Sequence, residues 1–259
     1  MKQNNPISLS LVIPFYNEEA CIPAFLERIN DVFSAHDNIT LEMVFVNDGS
    51  TDTSLALLKK RMRQDRRIII VDLSRNFGKE AALSAGLKEA TGEAVIPLDA
   101  DLQDPPELIL AMIAKWQQGH DVVLARRIRR NEDSWFKRVS ARYFYRIHNK
   151  FSQPKLPENV GDFRLMDRRV VDALNALPES CRFMKGLFAW VGFRTAYIDY
   201  CRPARVSGAS KFKAWKLWNF ALDGITSFTT APLRIWTYIG AFFTIVSFLF
   251  ACFIFLRFF

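Results

Sequence analysis

Between residues 9 and 125, short apolar runs alternate with helical stretches, and this alternation restricts the fold more than any other feature of the chain. Residues 9–14, 41–46, 68–73, 94–98 and 122–125 read as strands. Helices are expected over residues 20–33, 53–62, 79–90 and 107–117. Strands that alternate with helices close as right-handed βαβ units on a mostly parallel sheet, so the expected class is α/β. Ligands of such sheets bind beyond the carboxyl ends of the strands. The polar clusters fall at those ends: Tyr16-Asn17-Glu18, Asp48-Gly49-Ser50, Arg75-Asn76, and Asp99 to Asp104.

A second feature sets the chain's surroundings. Residues 235–256 carry no charge, and as a helix they would span about 33 Å, the thickness of a bilayer core. Arg234 and Arg257 bracket the run, and Trp236 and Tyr238 stand at its start as interfacial anchors do. A helix buried in a soluble core is the competing reading, but a Phe-rich helix of this length rarely finds protein for every face. Lys211, Lys213, Lys216 and Arg234 precede the run, so the positive-inside rule places residues 1–234 in the cytosol. The formal net charge of +8 over 259 residues points to an anionic partner: nucleotide, nucleic acid or lipid headgroup. Cys21, Cys181, Cys201 and Cys252 form no C-x-x-C pair, which argues against a zinc site or disulfide framework and fits a reducing compartment. Residues 1–10 are polar, so no cleavable signal peptide is expected.

Two basic stretches admit alternatives. Arg138, Arg142, Arg146 and Lys150 recur every fourth residue, beside Trp135, Val139, Tyr143, Ile147 and Phe151. A helix over residues 135–151 could lie on an anionic membrane or face a core with a solvated back. Residues 211–220 interleave lysines with large aromatics just before the apolar run, and there the interfacial reading is stronger.

Asp99 and Asp101 are alternate residues of an extended segment, so both carboxylates can point one way. Oxygen ligands at that spacing suit a hard cation such as Mg²⁺ or Mn²⁺, which fills its shell with water and phosphate oxygens. A solvated turn is the plain alternative. Asp104, ahead of Pro105-Pro106, reads as a cap for the following helix. Asp48 could accept from a nucleobase, and Ser50, Thr51 or Asp52 could cap the next helix. Arg75 to Lys79 lead into a helix whose N-terminus attracts phosphate. Neither a P-loop nor a G-x-G-x-x-G is present.

Taken in order, Pro14-Phe-Tyr-Asn-Glu18, Asn47-Asp-Gly-Ser-Thr-Asp52, Arg75-Asn-Phe-Gly-Lys79 and Asp99-Ala-Asp-Leu-Gln-Asp104 resemble the family 2 glycosyltransferases of the GT-A fold. Gly161-Asp-Phe-Arg-Leu165, Gly208-Ala-Ser-Lys-Phe212 and Thr230-Ala-Pro-Leu-Arg234 look like the polyprenyl-phosphate branch, which includes dolichol-phosphate mannose synthases and the nearer phage-type bactoprenol glucosyltransferases. Enzymes of the latter kind usually carry two membrane helices, whereas this sequence contains one apolar run. The resemblance implies a GT-A catalytic domain over residues 1–204, an amphipathic juxtamembrane segment over 205–234 and a membrane helix over 235–256. It implies that Pro14, Tyr16, Glu18, Asp48, Arg75, Lys79 and Gln103 hold a nucleotide sugar, and that Asp99 and Asp101 bind Mg²⁺ or Mn²⁺. Asp162 would orient the acceptor, and Arg126, Arg127 and Lys211 would hold a lipid phosphate, with Arg129 and Arg130 beside them.

The expected reaction is therefore inverting transfer, with UDP-glucose as donor and undecaprenyl phosphate as acceptor, on the cytosolic face of a bacterial inner membrane. GDP-mannose or an aminosugar donor is the alternative. A processive synthase is disfavoured because it needs a channel of many helices. A nucleic-acid partner is not expected, since it explains the charge but not the apolar run or the strand-end carboxylates. Homo-oligomerisation is left open.

Overall fold

The structure, a computed structural model, describes residues 6–128, 155, 157, 159–179, 182–201 and 231–258. Strands β1 (Ile7–Phe15), β2 (Ile39–Asn47), β3 (Ile68–Asp72) and β4 (Ala94–Pro97) alternate with helices α1 (Ile22–Phe33), α2 (Ser54–Met62) and α3 (Lys79–Glu89). Helix α4 (Leu108–Gln117) and strand β5 (Val122–Arg127) complete the alternating part. Every strand and helix expected there is present, with ends shifted by a few residues.

Four further elements follow: strand β6 (Val160–Asp167), helices α5 (Arg168–Asn175) and α6 (Met184–Trp190), and strand β7 (Thr195–Tyr200). The sheet runs in the order β3-β2-β1-β4-β6-β5-β7. β1, β2, β3 and β4 pair in parallel, as do β5 and β7, whereas β6 is antiparallel to both β4 and β5.

Two apolar layers hold the sheet between helices. On one side Phe25 and Ile29 of α1, Leu58 of α2, and Met112 and Trp116 of α4 pack against Leu9, Leu11, Ile13, Phe45, Ile96 and Leu165. On the other, Leu83 and Leu87 of α3, Val171 and Leu174 of α5, and Leu187 of α6 pack against Val12, Val44, Val46 and Val95. Gly86 brings α3 against the sheet, because a Cβ there would meet the Val12 side chain at 2.3 Å. Parallel strands buried on both faces read as continuous apolar runs, which is why β1 and β2 were legible.

Asp104 corrects its expected role. Helix α4 begins at Leu108 with Glu107 in the N-cap position and no side-chain cap hydrogen bond. Asp104 itself is buried and accepts from the Tyr200 hydroxyl of β7, with Arg127 Nη2 at 3.5 Å. It ties the β4–α4 loop to the far strands of the sheet.

Helix α7 (Ala231–Phe258) contains the uncharged run. Its most apolar 18-residue stretch, within Arg234–Phe258, has a mean hydropathy of 2.6 and none of that stretch is buried, so the buried-core reading fails. It is long and apolar enough to cross a membrane. The basic stretches at 135–151 and 211–220 lie outside the described residues.

Candidate active site

The parallel strands β1, β2, β3 and β4 deliver Phe15, Asn47, Asp72 and Pro97 to one edge of the sheet. Chain order reverses direction there, since β1 has β2 on one side and β4 on the other, and the crevice of such a switch point is where ligands sit. Strand β6 enters from the opposite direction. Its register sets Val95 against Met166, and extending that pairing four residues brings Asp162 opposite Asp99.

Side chains lock the loops that line this edge. Asn17 adopts φ 54°, a left-handed conformation that asparagine tolerates. Its Oδ1 accepts from Thr51 N at 2.8 Å, and its own backbone N–H donates to Ser50 Oγ at 3.0 Å. Glu18 N donates to Ser54 Oγ at 3.0 Å, so the ends of β1 and β2 are stitched together. Asp52 Oδ1 accepts from Ser54 N at 3.0 Å, a turn just ahead of α2, whose N-cap position is Thr53 without a side-chain cap. Gly49, at φ 69°, lets this loop pass the next one: a Cβ there would lie 2.5 Å from the Arg75 carbonyl carbon and the Asn76 nitrogen. No residue but glycine fits that approach.

Asp48 is buried and accepts from Phe77 N at 2.7 Å and Gly78 N at 3.1 Å. Its carboxylate therefore shapes the loop that carries Arg75, whose guanidinium lies 4.6 Å from the exposed Phe77 ring. Pro14 and Tyr16 are half-buried where β1 runs into that edge. Gln103 N donates to Asp101 Oδ1 at 3.1 Å, holding that carboxylate in the loop after β4. Leu102 between them takes φ 56°, a strained conformation for a leucine, costing about 1–2 kcal/mol.

The cluster at the centre is Lys79, Asp99 and Asp162. Lys79 Nζ lies 2.7 and 2.8 Å from the two oxygens of Asp99 and 2.9 Å from Asp162 Oδ2. Burial alone would lower the lysine, but the charges of Asp162 and Asp99 outweigh it and hold the ammonium well above the ordinary range. Burial would raise Asp162, yet Lys79 and then Lys185 keep its carboxyl well below the carboxylate range. Asp99 goes the other way, because burial exceeds the help it receives from Lys79.

Glu80 adjoins this cluster. Burial first, and the Asp162 charge second, push its carboxyl up to about 7. Its Oε2 accepts from Met184 N at 3.0 Å, so it also fastens α6 to α3. Arg127 approaches from β5. Its Nε donates to the Tyr200 hydroxyl at 3.0 Å; burial would lower the guanidinium, but Asp104, Tyr200 and, least, Asp162 together outweigh it and keep it high. Arg126 lies elsewhere: it is exposed, donates to Asp199 at 2.6 and 2.9 Å, and lies over the Tyr197 ring. Lys211, Arg129 and Arg130 lie outside the described residues.

Residues absent from the sequence reading are Glu80, Lys185 and Tyr200. Glu80 carries a signal of sorts, as the neighbour of Lys79 at a helix start. Nothing local marks Lys185 or Tyr200: Lys185 lies on α6, which Glu80 fastens to α3, and Tyr200 ends β7, which pairs with β5.

Among the described residues no group of three or more His, Cys, Asp and Glu side chains converges on one point. The pair expected from the sequence, Asp99 and Asp101, lies just past the end of β4 and supplies two carboxylates. Two carboxylates fit a hard cation that takes its other ligands from water and a diphosphate.

A mostly parallel sheet with acidic side chains at the carboxyl end of its fourth strand, and an antiparallel strand feeding a third carboxylate to the same point, is the architecture of GT-A transferases. Residues 10–174 match the family Glycosyl transferase family 2, and the chain belongs to that family. It is 51% identical over 244 residues to the bactoprenol glucosyl transferase of Shigella phage SfX, covering 94% of this chain and 80% of that one. An uncharacterized glycosyltransferase of Synechocystis is 50% identical over 251 residues, covering 97% and 79%. Among solved structures, glucosyl-3-phosphoglycerate synthase of Mycobacterium tuberculosis, in complex with Mn²⁺, UDP and phosphoglyceric acid, superposes with a TM-score of 0.58. That similarity spans 83% of this chain and 75% of the other at 18% identity, and so concerns the fold. The protein is a glycosyltransferase, similar over most of its length to phage-type bactoprenol glucosyltransferases.

Proposed function

We propose that the protein transfers glucose from UDP-glucose, with inversion, to undecaprenyl phosphate at the cytosolic face of a bacterial inner membrane. The observation that carries this reading is the Lys79–Asp99–Asp162 cluster at the sheet's switch point, in a chain half identical to bactoprenol glucosyl transferases. Pro14, Tyr16, Glu18 and Asp48 line the strand ends where the nucleoside would rest, with Arg75 and Gln103 at the flanks. Asp99 and Asp101 would hold Mg²⁺ or Mn²⁺, which when bound neutralises charge developing on the departing diphosphate.

The acceptor phosphate has a second pKa of about 6 and is mostly dianionic at neutral pH, so it attacks without a general base. Asp162 suits that chemistry. A carboxyl held so low is a poor proton acceptor, but it can fix Lys79 and keep the cluster in register. Arg127, with Lys211 beyond the described residues, would meet the lipid phosphate. GDP-mannose or an aminosugar nucleotide as the donor is the second reading, because sugars that differ by one hydroxyl are read by few side chains.

The test is direct. Membranes containing the protein, undecaprenyl phosphate and Mg²⁺ or Mn²⁺ are incubated separately with radiolabelled UDP-glucose, GDP-mannose and UDP-N-acetylglucosamine. Label should enter the lipid extract from UDP-glucose, and Asp101→Asn should cut that transfer roughly 100-fold or more while thermal stability is kept. Label from another donor alone would overturn the glucose assignment, and near-normal transfer by Asp101→Asn would overturn the metal site.

A further inference from the structure

Asp99 has two carboxylate oxygens, and the Lys79 ammonium lies within hydrogen-bond distance of both, at 2.7 and 2.8 Å. A chelated ammonium occupies the direction from which a bidentate metal would approach. Mg²⁺ requires its oxygens at about 2.0–2.1 Å, close enough that both cations cannot share Asp99 without strong repulsion. Asp162 anchors Lys79 from a second side, so the ammonium is held where it competes. Lysine is a compact charge on a flexible stem and can turn to a new anion when one arrives. Lys79 opens helix α3, directly after Gly78, where free backbone N–H groups also face an incoming phosphate.

We infer that Lys79 is an exchangeable counter-ion: it guards Asp99 against a divalent cation arriving alone, and moves onto the donor diphosphate when metal and nucleotide arrive together. This deepens the proposed function and rests on its assignment of Asp99 and Asp101 to the metal. Binding of metal and of nucleoside diphosphate is then mutually reinforcing, and by linkage each raises the other's affinity by the same factor. The protein's own ammonium, rather than an additional ligand, enforces joint loading.

Mn²⁺ binding to the purified full chain in detergent, followed by the electron paramagnetic resonance of free Mn²⁺, reads this without turnover. For the unaltered protein, saturating UDP should tighten Mn²⁺ at least about tenfold. Lys79→Met should bind Mn²⁺ alone about tenfold more tightly than the unaltered protein and lose most of the gain from UDP. Lys79→Arg, which keeps the charge, should retain weak binding of Mn²⁺ alone. Lys79→Gln serves as a second neutral variant, and circular dichroism establishes which variants are folded. Unchanged or weaker binding of Mn²⁺ alone by a folded neutral variant overturns the exchange while leaving the metal site intact. Failure of Mn²⁺ to bind the unaltered protein even with UDP overturns the metal site itself, and the exchange with it.

Discussion

Glu80 is a side chain whose chemistry departs from what its place in the sequence implies. An acid in the first turn of a helix is ordinarily stabilised in its charged form by the helix dipole. Here burial dominates, and the neighbouring Asp162 charge adds to it, so the carboxyl reaches about 7 against a reference of 4.5. The sign of its effect on stability follows. Between about pH 4.5 and pH 7 the folded protein holds a proton that the unfolded chain has released. Stability from this group is therefore fully present below that window and falls as pH rises through it. Glu80→Gln keeps an acceptor for Met184 N but removes the ionisation. The variant's melting temperature, relative to the unaltered protein, should be higher at pH 8 than at pH 5, by a few degrees for an effect of order 1–2 kcal/mol. An offset equal at both pH values would mean that Glu80 ionises normally.

Among the elements, β7 and β6 complete the sheet that the alternating half begins. Strand β7 pairs with β5 alone among the described residues, and its Tyr200 reaches back to Asp104 and Arg127. The Tyr200 hydroxyl is pushed up to about 12, by burial and then by Asp104, so it remains a donor to that buried carboxylate. Tyr200→Phe leaves Asp104 short of a partner inside the protein, which typically costs about 1–3 kcal/mol. The expected result is a clear fall in melting temperature, and an unchanged one would show that solvent replaces the hydroxyl.

The same elements mark where the sequence stopped being readable. β1 to β5 announce themselves as apolar runs between helical stretches, and Asp99 and Asp101 stand at a strand end that could be located. β6 does not: Phe163 and Leu165 join one apolar layer while Val160 and Met166 join the other, and Asp162 and Arg164 interrupt the run. Helix α5 is eight residues long and rich in charge, too short for periodicity to separate it from a loop. Residues brought together by such distant elements, Tyr200 bonded to Asp104 and Lys185 acting by charge on Asp162, have no local signature. Asp104 departs from its expected capping role for that reason, since a cap is a local device and its partners Tyr200 and Arg127 lie farther along the chain.

At the level of the whole molecule, two parts obey different solvents. Neither apolar layer of the sheet includes a residue of α7, whose side chains from Arg234 onward are exposed apart from a half-buried Cys252. Removing residues 235–259 should accordingly leave the melting temperature of the sheet domain within about 3 °C, because none of the described residues removed is buried. Its attachment to membranes should change in kind. The full chain, with an apolar span long enough for a bilayer, should stay in the membrane pellet through a high-salt wash. The shortened chain keeps the basic stretches at 135–151 and 211–220, which would hold it to anionic lipid through screened charge. It should pellet with vesicles rich in anionic lipid at low salt and be released as the ionic strength approaches 1 M, where the Debye length falls to about 3 Å. Complete release at low salt would show that α7 alone carries the attachment and that the basic stretches belong to the protein's solvated surface. Retention through high salt would show instead that they insert apolar side chains.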